Sequence, residues 1–168
     1  MSPLFIVLLV AHIFAAIMFI GGATIASAVF PRYLDWHWSV DEGGVNPAGD
    51  PPRRQEQVLR ALARITRGYG TGALLVPLLG LVLAFVDDRL GEAWLNISLV
   101  LTAVAAYLLI IVVRTQDAQM RVIRAGDTGG DAVARKRDLG RMRLAANSFN
   151  TVWLIILVLM VWRPGGRA

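Results

Sequence analysis

Apolar residues fill four long stretches of the chain, and polar residues gather between them. The four stretches cover residues 3–30, 68–86, 93–113 and 143–162. An α-helix rises about 1.5 Å per residue, so roughly 20 residues cross the ~30 Å hydrocarbon core of a bilayer. The pattern therefore predicts an all-α fold, an integral membrane four-helix bundle that forms a single domain over residues 1–168.

The polar stretches predict what joins these spans. Residues 31–50 are rich in Gly, Pro, Asn and Asp, which favours a loop. Residues 51–67 place apolar and arginine side chains on different faces at helical period, which predicts an amphipathic helix. It either runs along or just beneath the lipid headgroups and then enters the membrane, or is a cytoplasmic extension of span 2 with a solvated basic face. Residues 114–142 keep a helical pattern on both sides of a glycine-rich turn, which predicts a helical hairpin. Helices 2, 3 and 4 are therefore expected to extend into the cytoplasm.

The basic residues determine the predicted orientation. Fourteen of the 17 Lys and Arg residues lie in or beside the connections between spans 1 and 2 and between spans 3 and 4. Basic residues concentrate on the cytoplasmic side of membrane proteins, so both termini are predicted to face outward. This placement also accounts for the net charge of +5 without a nucleic-acid partner. The expected partner is the lipid bilayer.

Composition limits the chemistry that the chain can perform. Apolar residues make up 56% of the chain and charged residues 17%, whereas a soluble domain has about 25% charged residues. There is no cysteine, which excludes disulfides, thiolate metal sites and cysteine nucleophiles.

Four polar side chains are predicted to lie at similar depth inside the membrane. Counting the helical rise from the outer end of each span places His12, Thr102, Thr151 and Asn150 roughly 12–18 Å deep. An intramembrane histidine that faces the bundle interior is a functional hypothesis by default. The structural alternative is a neutral His12 that donates to Thr151 or Asn150 and so joins helix 1 to helix 4.

Close helix packing is expected at small residues and at one proline. Gly21 and Gly22 lie in span 1, and Gly68 and Gly72 form a small-xxx-small pair at the start of span 2. Pro77 lacks a backbone N–H and therefore predicts a kink in span 2.

His12 is also the intramembrane side chain that suits a cofactor. Haem b in a bundle generally takes a second axial ligand, but the other histidine, His37, lies in the predicted loop, and Met18 shares a helix with His12. This leaves a five-coordinate haem or a second ligand from a partner. Copper would need clustered His and Met residues, which the spans do not provide, so no metal site is predicted.

Two short motifs carry a resemblance to known membrane families. One is His12, Gly21-Gly22 and Pro31-Arg32, each separated by eight residues, and the other is the run from Leu159 to Pro164. With these motifs, the chain resembles a family of small bacterial four-helix integral membrane proteins of unknown function. It also resembles, more loosely, the membrane domain of copper-resistance D proteins and the haem-binding membrane protoporphyrinogen oxidases. The resemblance implies a bundle in the bacterial cytoplasmic (inner) membrane and marks His12, but it implies no activity.

Three functional interpretations follow. The first is a non-enzymatic accessory or structural protein that associates with other membrane protein subunits or with itself. The second is a haem-linked redox protein or porphyrin enzyme that uses His12. The third is a small copper-handling or transporter-like component.

Overall fold

A computed structural model describes residues 3–41, 43, 49, 51–126 and 131–162 of the chain. Its helices are α1 (Pro3–Ala15), α2 (Gly21–Asp41), α3 (Pro52–Gly72), α4 (Leu75–Val86), α5 (Ala93–Arg124) and α6 (Ala132–Trp162). A π-helical turn, Ala16–Ile20, joins α1 to α2. These described segments contain no strand, and they include four helical stretches that are long and apolar enough to cross a membrane. The predicted all-α fold with four candidate spans is confirmed.

The helices form two hairpins. Hairpin one consists of α1, the π-helical turn and α2, packed against α3 and α4, and hairpin two consists of α5 and α6. Two ion pairs join the hairpins on different sides, one from Arg143 to Asp35 at 2.8 Å and one between Arg67 and Asp117. All four of these side chains are at least partly exposed, so each pair contributes only about 0–1 kcal/mol.

Residues 31–41 are helical, so the predicted loop over 31–50 is wrong for this part of the chain. Phe30, Leu34 and Trp38 recur every four residues and are at least 95% buried. A proline inside a helix, here Pro31, costs about 3 kcal/mol, but burying each large apolar side chain contributes about 1.5–3 kcal/mol. Three such side chains outweigh the proline. Residues 42, 44–48 and 50 of the predicted loop lie outside the described residues.

The predicted amphipathic helix over 51–67 is present. It is the first part of α3, which continues without interruption to Gly72. Its buried face, which includes Leu59 at 0% exposure, packs against α2 and the bundle interior. This contact is possible because α2 is long enough to lie beside it. The hairpin predicted over 114–142 is helical up to Arg124 and from Ala132, and residues 127–130 lie outside the described part.

Among the described residues, three apolar clusters hold the helices together, two large ones and a small one of Ala84, Trp94 and Leu95 beside the turn between α4 and α5. The basic-end core, named after the fourteen basic residues around it, consists of Phe30, Leu34, Trp38, Leu59, Met120, Leu139 and Met142. The membrane core consists of Ala23, Ala105, Leu109, Phe149 and Ile156. Arg135 lies over the Trp38 ring, with its Cζ atom 5.7 Å from the ring centroid. The basic end is therefore a packed four-helix unit and not a set of loose extensions.

The far end of the molecule, around the turn between α4 and α5, is more open. The buried residues of α1 are Phe5, His12 and Ala15. Apart from the π-helical turn that follows it in the chain, the element that α1 mainly contacts is α4. In the turn, Arg89 donates to Asp87 and, at 3.2 Å, to Glu92. The Asp87 hydrogen bond raises the pKa of the Arg89 guanidinium above its usual value, so this residue stays charged.

Candidate functional site

His12 lies on the narrow buried face of α1, where it contacts α4. The residue is 8% exposed, and its Nδ1 atom lies 3.0 Å from the backbone oxygen of Val76. A carbonyl oxygen can only accept, so Nδ1 must carry the proton and donate. His12 therefore joins span 1 to span 2 through a backbone atom.

A glycine makes this close approach feasible. A Cβ atom added at Gly80 would lie 3.1 Å from Cε1 of His12, which is tighter than most Cβ contacts. The imidazole thus lies directly against the backbone of α4, one turn beyond its hydrogen-bond acceptor. A side chain at position 80 would push the ring away from Val76.

The acceptor lies beside a break in span 2 that Pro77 causes. Pro77 has no N–H to donate to the oxygen of Ala73, four residues earlier. The oxygen of Ala73 accepts instead from the N–H of Val76, at 3.1 Å. Helix α3 therefore ends at Gly72 and α4 begins at Leu75, which confirms the distortion predicted at Pro77.

Span 1 has its own irregularity next to His12. The π-helical turn Ala16–Ile20 begins four residues after the histidine. Such turns make up well under 1% of residues and occur frequently at functional sites. Its Phe19 ring contacts Gly72, at the end of α3, so the irregular parts of the two spans face each other.

The predicted packing glycines have mixed outcomes. A Cβ atom at Gly22 would lie 2.5 Å from the Tyr69 ring, and one at Gly72 would overlap the Phe19 ring. These two glycines therefore permit close packing, as predicted. Nothing lies within 4 Å of a Cβ atom added at Gly21 or Gly68, so these two glycines make no such contact within the chain.

The structure does not bring the predicted polar layer together. Thr102 donates to the oxygen of Ser98 in its own helix, at 2.7 Å, and Thr151 is exposed. Asn150 is partly buried, and its Oδ1 atom has no partner among the described residues. The predicted bond from His12 to Thr151 or Asn150 is wrong, because α1 packs on α4 while α6 meets hairpin one mainly at α2. Polar residues predicted at the same depth in the membrane are therefore not neighbours in the structure.

The other candidate ligands lie apart from His12. His37 lies on α2, with its ring centroid 5.2 Å from that of Trp38 in the basic-end core. Met18 lies on the π-helical turn and is 44% exposed. Within the described ranges, no three His, Cys, Asp or Glu side chains come close enough to hold a metal ion.

Sequence reasoning missed both partners of His12. A backbone carbonyl leaves no signal in the sequence, since every residue has one. Gly80 offered a signal, because it follows Pro77 by three residues on an otherwise apolar helix. Small residues in such places let another helix approach closely.

Comparison with known proteins adds nothing to this geometry: no family model, no curated protein and no solved structure matches the chain.

Proposed function

We propose that this is a multi-pass membrane protein that acts as an accessory or structural component, by association with other membrane protein subunits or with itself. The proposal rests on how much of the surface of α1 is exposed. One narrow face of α1 is buried on α4, while large side chains such as Val10 and Phe14 are 60% and 64% exposed. A helix that packs on a single neighbour has most of its surface available to another protein within the membrane.

The use of the intramembrane polar groups supports this proposal. His12 donates to Val76, and Thr102 donates to Ser98, so both serve contacts within the chain. Polar residues in spans that act in transport or catalysis usually face a cavity or one another. His12 instead joins two helices, and Thr102 is satisfied within its own helix.

Site-specific photo-crosslinking in native membranes tests the association. A photoreactive residue at Phe14, on the open part of α1, is expected to give a protein adduct of discrete mass. A matched residue at Leu157 of α6, which is 60% exposed, is expected to give none. An adduct of twice the chain mass identifies self-association. Lipid adducts alone at both positions would refute the proposal.

We further propose that the protein lies in the bacterial inner membrane with its basic end in the cytoplasm and both termini outside. The absence of cysteine allows a direct test with single-cysteine variants. In intact cells, Gly91→Cys in the far turn should react with a membrane-impermeant maleimide, and Arg124→Cys at the end of α5 should not. The reverse labelling pattern would overturn the orientation.

The second candidate is a haem-linked redox protein or porphyrin enzyme. One observation favours it: the bond from Nδ1 to Val76 leaves Nε2 as the unprotonated ring nitrogen. Haem-binding and metal-binding histidines are commonly oriented by such a bond on the other nitrogen. His12 would be the axial ligand, and a haem bound there would supply one-electron chemistry. The other candidate ligands, His37 and Met18, lie on α2 and on the π-helical turn, so a haem here would be five-coordinate or take its second ligand from a partner.

Absorption spectroscopy tests the haem candidate. A Soret band in the purified protein that disappears in His12→Ala supports it. A colourless protein that takes up no added haemin contradicts it. For the copper alternative, the part of the chain that the structure describes offers no group of three His, Cys, Asp or Glu side chains.

A further inference from the structure

The basic-end core and the membrane core are separated by a layer of small and polar residues. Between the two clusters, α2 contributes Ser27, α3 contributes Thr66, α5 contributes Gln116 and α6 contributes Ala146. All four are at most 1% exposed, so the layer lies in the centre of the bundle. None of them belongs to either apolar cluster.

One ion pair, and the order of residues along the helices, place these four residues between the two cores. Thr66 and Gln116 directly precede Arg67 and Asp117, which form an ion pair between α3 and α5. Ser27 lies on the buried face of α2, between Ala23 of the membrane core and Phe30 of the basic-end core. Ala146 lies in the same way between Met142 and Phe149 on α6. The bundle interior therefore changes from apolar to polar and back to apolar along its axis.

Gln116 is the residue that this layer does not satisfy. Neither its Nε2 nor its Oε1 atom has a hydrogen-bond partner among the described residues. The hydroxyls of Ser27 and Thr66 donate to Thr24 and Leu62 of their own helices, each at 3.0 Å, but their oxygens can still accept. A buried polar group without a hydrogen-bond partner destabilises the folded state, and the Gln116 amide has two such atoms.

We propose that this layer is an internal water site, in which ordered water bonds to both ends of the Gln116 amide. The hydroxyl oxygens of Ser27 and Thr66 provide the further acceptors that a buried water needs, since such waters typically make about three hydrogen bonds. Ala146, the smallest side chain of the layer, is the fourth residue around this site.

A nitrile probe tests the proposal, because a cyanylated cysteine has nearly the length of glutamine and the chain has no other cysteine. The C≡N stretch of cyanylated Gln116→Cys is expected at the higher frequency of a nitrile that is hydrogen-bonded to water. The matched control is cyanylated Met120→Cys, one turn away and 4% exposed in the basic-end core, which is expected at the lower, aprotic frequency. Aprotic frequencies at both positions would overturn the proposal.

A second variant tests whether the layer around Gln116 has room for water. Ala146→Leu fills the layer with apolar atoms, so it should shift the Gln116 probe to the aprotic frequency and leave the Met120 probe unchanged. An unshifted Gln116 probe would place the water elsewhere and refute the site.

The unmodified protein gives an independent test that needs no folded variant. Magnetisation transfer from water to the Gln116 side-chain amide, observed by NMR in detergent micelles, is expected from a bound water. The positive control is the side-chain amide of Gln119, which lies on the same helix and is more exposed. Transfer to Gln119 without transfer to Gln116 would also refute the proposal.

Discussion

At the scale of single residues, glycines act as contact points for rings in hairpin one. The three pairs are Gly22 with Tyr69, Gly72 with Phe19 and Gly80 with His12. In each pair the ring of one span lies against the backbone of the other, which brings the two helices close together. Close packing of this kind replaces the hydrophobic driving force that is absent between helices in lipid.

Substitution of these glycines should reveal the contacts directly. Gly72→Ala places a methyl group into the Phe19 ring and is expected to destabilise the protein by about 1–3 kcal/mol, as overpacking usually does. Gly68→Ala, one turn earlier on the same helix, meets nothing within 4 Å and should stabilise α3 by roughly 0.5–1 kcal/mol. Unfolding titrations in mixed detergent micelles measure both. Equal effects of the two substitutions would contradict the proposed contact.

The contact between His12 and Gly80 should appear as coupling between the two positions. Gly80→Ala is expected to weaken the bond to Val76 and to destabilise the wild-type protein by about 0.5–1.5 kcal/mol, the usual value of a hydrogen bond. In a His12→Ala background the same change should have almost no effect, because the ring is gone. A double-mutant cycle of unfolding free energies measures this coupling. Additive effects would mean that the ring does not lie on Gly80.

At the scale of helices, interruptions determine which faces meet. The π-helical turn contains one more residue per turn than an α-helix, so it rotates α1 by about 100° relative to α2. This rotation directs His12 toward α4. Across from it, the break after Gly72 places Val76 in the first turn of α4. The bond between His12 and Val76 therefore depends on two irregular segments, one in each span.

Deletion of one residue from the π-helical turn tests this dependence. Removal of Ile17, which is 72% exposed, should convert the turn to an α-helix and rotate His12 away from Val76. The loss of unfolding free energy should then equal or exceed that of His12→Leu, and adding His12→Leu should cause no further loss. The control is deletion of Leu4. This residue precedes His12, so its deletion leaves the chain from His12 to Gly80, including the π-helical turn, unchanged. An additional loss on adding His12→Leu would contradict the prediction.

At the scale of the whole molecule, stability resides mainly in the two larger cores that join the hairpins. The ion pairs between the hairpins are exposed and contribute little. The basic-end core contains large side chains from four helices, whereas the far end has a small core of Ala84, Trp94 and Leu95, and α1 buries a single narrow face. Local unfolding should therefore begin at α1 and reach the basic end last.

Two phenylalanines provide a matched comparison of these regions. Phe30→Ala, at 0% exposure in the basic-end core, is expected to destabilise the protein by about 3–5 kcal/mol. Phe14→Ala, at 64% exposure on α1, should change the free energy of unfolding by less than about 0.5 kcal/mol in detergent. A large effect at Phe14 would show that α1 has a partner even in the purified protein.

Much of the fold was predictable from the sequence because membrane insertion depends on local properties. The length and apolarity of each span follow from bilayer thickness, and Pro77 lacks an N–H in any context. The helix through residues 31–41 was not predicted, because the glycine- and proline-rich composition of residues 31–50 favours a loop, whereas the helix follows the repeat of Phe30, Leu34 and Trp38. The repeat is visible in the sequence, but the stabilisation that it provides comes from burial of these three side chains against other helices.

The sequence by itself determined that this is an all-helical chain with four apolar spans and that its charge gathers at one end, because hydropathy, helical rise and charge are properties of each residue. Only the tertiary structure decided that His12 bonds to a backbone oxygen of span 2, that Gly80 and not Gly68 is a contact point, and that Gln116 lies unsatisfied between two cores. These facts depend on how each helix is rotated about its axis. That rotation is set by a π-helical turn and by packing between distant residues, neither of which is encoded in any local pattern.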